Sequence, residues 1–126
     1  MKDKPSYEEF LELSPEIREL DKLTLPRYYD RDGSPMPTSK WTWLFSYFEE
    51  YRLVEQTEIG QLLVSTVWLG IDHSFGYGDE PIIFETMVFG LSDEWDEYMQ
   101  RYSTEEEAKR GHEQVVTAIR ELENIK

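Results

Sequence analysis

The stretch 64–90, VSTVWLGIDHSFGYGDEPIIFETMVFG, decides the fold of this chain. It holds most of one strand-like run, 62–69, and all of a second, 82–89, joined by a loop with Asp72, His73 and the turn glycines Gly70, Gly76 and Gly78. It contains no lysine or arginine. A segment this apolar belongs at the centre of a sheet. Yet it places Thr66, Trp68, His73 and Glu85 where a core alone would use aliphatic side chains, so a site is to be sought there.

Reading outward, 51–58 alternates loosely and Gly60 turns it back into 62–69, which predicts an antiparallel hairpin. A further strand is expected over 98–102. Ser103 with Glu106, and Thr104 with Glu107, offer two overlapping capping boxes for a helix over 104–122. Its apolar stripe is Ala108, His112, Val115, Ile119 and Leu122. Gly111 inside it costs about 1 kcal/mol relative to alanine, which points to a close helix-to-sheet approach.

Upstream, Thr38 or Ser39 can cap a helix over 39–49 with Trp41, Leu44, Phe45 and Phe48 on one side. Arg27 to Asp30 reads as a short strand before the turn at Asp32-Gly33. Ser6 and Glu9 have capping-box spacing, with Phe10, Leu13, Ile17 and Leu20 behind them, so 6–22 is one helix or two broken at Pro15. The expected architecture is an α+β fold. An antiparallel sheet is covered by a C-terminal helix and flanked by a short aromatic helix, with a helical arm over 1–25 added to a domain over 26–126.

At 126 residues a single core is enough. The absence of cysteine excludes disulfides, cysteine-ligated metal and thiol catalysis, and no run reaches the roughly 18 apolar residues of a membrane span. The N-terminus MKDKPSYEEF has no apolar signal core, so an intracellular chain without membrane contact is expected. The formal charge of −14 is spread along the chain. Such a field disfavours direct DNA binding and favours solubility or a basic protein partner, including by mimicry of a nucleic acid.

Candidate chemistry gathers at few residues. His73 beside Asp72 could reach Glu85 for acid and base work, although a loop histidine also serves simply to hold a turn. Two histidines and no HExxH pair argue against a metal on Asp72, His73, Asp79, Glu80 and His112. Glu85 needs a partner on its mostly apolar strand face, whether Arg101, Arg52, or a ligand's amide or ribose hydroxyl. Arg101 and Tyr102 precede a helix N-terminus, where Arg27 or Arg31 could help hold a phosphate. Among Trp68, Trp43, Tyr28, Tyr29 and Tyr77, one or two could stack on a base. With no phosphate-binding glycine motif, nucleophile elbow or cofactor signature, a binding protein is expected rather than an enzyme, with no cofactor.

The blocks RYYDRDG, VSTVWLG with Asp72-His73 and Phe75-Gly76, PIIFETMVFG, RYSTEEEA and GHE together resemble a widespread family of small uncharacterised phage and prophage proteins. The resemblance covers about Arg27 to Val116 and leaves the first 25 residues outside. It implies a phage-encoded accessory protein in the cytoplasm of the bacterial host, countering defence by capturing a nucleotide immune signal or by occluding a defence protein. The expectation is sequestration of a nucleotide-type signal without cleavage, by Tyr29, Arg31, Trp68, Asp72, His73, Glu85, Arg101 and Tyr102. Homo-oligomer formation, for instance through the N-terminal helix, would help enclose it. The alternative is an acidic inhibitor of a host defence protein, working through Asp93, Glu94, Asp96, Glu97 and Glu105 to Glu107.

Overall fold

The computed structural model describes residues 4–22, 27–92 and 94–125. The 25/26 division between arm and domain, and Asp93, lie outside the described residues. The order is α1 (Tyr7–Leu13), α2 (Pro15–Leu20), α3 (Thr38–Tyr47), α4 (Glu49–Arg52), β1 (Leu53–Ile59), β2 (Leu62–Trp68), β3 (Phe84–Phe89), β4 (Met99–Tyr102) and α5 (Glu105–Ile125). The strands form one four-stranded antiparallel meander in the order β1-β2-β3-β4. Helix α5 packs across all four, completing the expected α+β fold.

Strand alternation assigns the faces. Thr57 pairs with Val64, Thr66 with Thr86, and Phe84 with Tyr102, so these side chains face α5. Leu63, Val67, Glu85, Met87 and Arg101 face the other way. On the helix side two apolar clusters form. One gathers Trp68, Ile83, Phe84, Leu44, Met36 and Ala108, and the other gathers Val64, Val88, Leu62, Val115, Val116 and Ile119.

Helix α5 starts on a capping box at Thr104 and Glu107, with backbone N–H to side-chain oxygen distances of 3.1 Å in both directions. Gly111 is buried, and a Cβ there would fall on the Tyr102 ring and hydroxyl. The close approach is real.

Several expectations are corrected. The cap of α3 is Pro37, with no side-chain hydrogen bond from Thr38 or Ser39. Asp21 does that work from outside the helix, accepting from Ser39 N at 2.9 Å and from the Ser39 hydroxyl. Residues 51 and 52 belong to α4, so β1 starts at Leu53. Arg27 to Asp30 forms no strand, because its pairing is limited to isolated bridges from Tyr28 to Ile71 and from Tyr29 to Pro35.

The N-terminal segment is two helices broken at Ser14-Pro15, and it packs on α3 of the same chain. Phe10 is buried, Tyr7 packs on Trp43 with ring centroids 5.5 Å apart, and Trp43 Nε1 donates to the Pro5 carbonyl at 2.9 Å. No described helix is long and apolar enough to cross a membrane.

Candidate functional site

The residues singled out in the sequence divide between the two faces of the sheet and its loops. Trp68 is fully buried on the helix face, stacked on Tyr51 with centroids 5.2 Å apart, and its Nε1 donates to the Tyr29 carbonyl at 3.0 Å. The Tyr29 side chain is half-buried against the same cluster. Tyr102 lies on that face too, its hydroxyl buried without a well-formed hydrogen bond among the described residues. Burial raises its pKa above the ordinary tyrosine value, against a smaller lowering by the nearby Thr86 hydroxyl.

Glu85 and Arg101 occupy the opposite face and satisfy each other, with Arg101 Nε donating to Glu85 Oε2 at 3.0 Å. Arg31 donates from Nε to Glu105 at 2.7 Å and from NH1 to the Tyr51 carbonyl at 2.9 Å. Its hydrogen bond holds the Glu105 carboxyl below the usual glutamate range. Arg27 is exposed. The two inner arginines expected to converge with Arg27 on one anion are instead each paired with a carboxylate, Arg31 with Glu105 and Arg101 with Glu85.

His73 and Asp72 build the 70–81 loop. Asp72 Oδ1 accepts from Ser74 N at 2.8 Å and Ile82 N at 2.9 Å, while Oδ2 accepts from the Ser74 hydroxyl at 2.9 Å. Burial alone would raise its pKa, but these hydrogen bonds, with a smaller contribution from His73, hold the carboxyl below the usual aspartate value. His73 Nδ1 lies 3.0 Å from the Ile71 carbonyl and so donates to it. No hydrogen bond joins His73 to Glu85 among the described residues, and the acid and base pair is not assembled. The clamped loop displays Phe75 and Tyr77 at 81% and 83% exposure, and Phe75 adopts a left-handed backbone at φ 55°.

One polar constellation was legible only in fragments. His112, fully buried, lies 2.8 Å from the Thr57 hydroxyl through Nε2 and 2.8 Å from the Thr66 hydroxyl through Nδ1, and Thr66 continues to Thr86 at 2.6 Å. This belt crosses β1, β2 and β3 between the two apolar clusters. A threonine hydroxyl faces each ring nitrogen, and a hydroxyl can rotate to donate or to accept. The belt is buried at His112, Thr66 and Thr86 and half-buried at Thr57, where Glu55 also lies 3.7 Å from His112 Nε2, and it fastens α5 to the sheet.

The open face of the sheet is the feature that residue-by-residue reading missed. Leu63, Val67 and Met87 are half-buried there, and Leu53, Phe89 and Met99 stand 40%, 49% and 45% exposed. An antiparallel sheet with a solvated face ordinarily makes that face polar. The signal was present, since both alternating sets of 62–69 and 82–89 are largely apolar, whereas a strand covered on one side needs only one such set.

At the end of this face, α4 and Phe45 wall a cavity of about 610 Å³ whose lining includes Arg52, Leu53, Gln56 and Val67. The Arg52 guanidinium sits 4.8 Å above the Phe45 ring and 3.6 Å from Glu49. Between Arg52 and Arg101 the chain has no lysine or arginine, so β1, β2, β3 and the loops joining them carry carboxylates without a lysine or arginine of their own. No family model, curated protein or solved structure matches the chain.

Proposed function

We propose that this chain is a non-catalytic binding protein that occludes a basic protein partner. The observation that carries the reading is the pairing of its inner cations. Arg31 is committed to Glu105 and Arg101 to Glu85, so the surface offers negative charge and apolar area rather than a prepared anion site. His73 and Glu85, the residues best suited to proton transfer, are each held by a structural partner. In the phage accessory setting that the sequence resemblance implies, the partner is a host defence protein and the place of action is the bacterial cytoplasm.

Sequestration of a nucleotide-type signal is the second reading, favoured by the cavity beside Arg52 and Phe45. It requires a phosphate to compete with Glu49 for the guanidinium. One experiment separates the two. The chain is incubated with extract of defence-proficient host cells, recovered at about 50 mM and about 500 mM salt, and its bound material identified by mass spectrometry before and after denaturation. A host protein retained at low salt and lost at high salt supports occlusion. An intact nucleotide released on denaturation, with no retained protein, overturns it.

A further inference from the structure

The open sheet face sets Leu53, Leu63, Val67, Met87, Phe89 and Met99 around the polar Ser65 and the Glu85–Arg101 pair, and it is matched in size to one secondary-structure element. We infer that it docks an amphipathic helix of the partner whose polar flanks are basic, so that the partner's helix covers the second face as α5 covers the first. This rests on the proposed occlusion of a basic protein and names the surface that performs it.

The dimensions fit. Strands of six or seven residues, as in β1 to β3, run about 20 Å, and four strands span about 15 Å between outer axes. A helix with side chains is about 10–12 Å across, and about 13 residues of it cover 20 Å. Leu63, Val67 and Met87 would form the floor, with Phe89 and Met99 as one wall and Leu53 as the other. The Glu85–Arg101 pair sits in this floor already neutralised, which lets an apolar stripe lie over it without stranding a charge.

Charge selects the occupant. Glu58 lies on the open side of β1, exposed and in no ion pair among the described residues, and Glu49 beside the cavity is 89% exposed. Of the two arginines near the face, Arg101 is paired with Glu85, while Arg52 lies 3.6 Å from Glu49 and its Nε is buried with no hydrogen-bond partner among the described residues. A helix flanked by lysine or arginine meets complementary charge there, whereas a second copy brings another −14.

The test uses the full chain and a fluorescent synthetic helix of about 14 residues, with leucines at i, i+3, i+4 and i+7 and lysines elsewhere. Anisotropy is read at about 150 mM salt. Val67→Ser with Met87→Ser leaves the charge unchanged and is expected to weaken binding at least about tenfold. Phe89→Ser with Met99→Ser, at half-exposed positions where the fold is insensitive, is expected to weaken it about fivefold. Glu106→Gln with Glu121→Gln, on exposed positions of α5, is expected to leave it within about twofold.

Equal binding by the wild type and both face variants would mean that bulk charge holds the peptide, and overturns the inference. So does absence of binding to the wild type. A dimer seen by light scattering and dissolved by Phe89→Ser with Met99→Ser would also overturn it, assigning the face to a second copy. If a host protein recovered from extract still binds the face variants in a salt-sensitive way, occlusion stands and only this surface is wrong.

Discussion

Gly111 on α5 lies so close against Tyr102 on β4 that a methyl group at the glycine would overlap the phenol ring and its hydroxyl. Helix propensity alone favours Gly111→Ala by about 1 kcal/mol, but overpacking of this kind costs about 1–3 kcal/mol. The expected net result is a lower urea midpoint. Tyr102→Phe removes the buried hydroxyl that lacks a well-formed hydrogen bond among the described residues, and should itself be neutral or slightly stabilising while recovering part of the loss in the double variant. A Gly111→Ala protein more stable than wild type would show that the helix can lift from the sheet.

Thr66→Val keeps the shape of the side chain and removes the hydroxyl that His112 and Thr86 share. One imidazole nitrogen is then buried without a partner. The expected cost is about 1–3 kcal/mol, read from denaturant unfolding. A change below about 0.5 kcal/mol would mean that His112 finds another partner.

The Glu55 carboxyl is raised above the ordinary glutamate value by burial, then by its hydrogen bond with Glu113, against the attraction of His112 and Lys109. A group whose folded pKa is raised favours the fold while protonated. That contribution is complete below the unfolded value of about 4.3 and is lost as pH rises through the higher folded value. Glu55→Gln should therefore raise the unfolding midpoint at pH 7, with the gain shrinking to nothing near pH 4. A midpoint lowered at pH 7 would show that the attraction to His112 and Lys109 outweighs burial.

Phe75 combines a left-handed backbone with a ring 81% exposed, so little packing offsets its strain. Asparagine tolerates this conformation. Phe75→Asn should stabilise the chain by about 0.5–1 kcal/mol, visible as a higher melting temperature. A lower one would mean that the ring packs on its own domain.

The helices and strands were legible because their signals are local. The capping box at Thr104 and Glu107, the glycine turn at Gly60 and the stripe from Ala108 to Ile119 each act within a few residues. The cap of α3 was not legible, since Asp21 reaches Ser39 from another segment and nothing near Ser39 announces it. The candidate site was legible in part. Arg101 was among the partners expected for Glu85, and the pairing of β3 with β4 brings the two together. The partner of Arg31, Glu105, comes from a distant segment and nothing near Arg31 announces it. Which face the Glu85–Arg101 pair occupies is a property of register, and alternation fixes it only once the covered face is known.

The belt of Thr57, Thr66, Thr86 and His112 bears on how this sheet avoids being built wrongly. Sliding β2 against β3 by two residues keeps every side chain on its proper face, so the alternation of inward and outward residues does not by itself reject such a slip. The hydroxyl chain does not tolerate it. A two-residue slide would set Thr66 against Phe84 or Val88 in place of Thr86 and break the relay that ends on the imidazole. In a protein whose strands are apolar on both sides, a few buried hydroxyls thus act as index marks, rejecting near-native misalignments that alternation alone would accept.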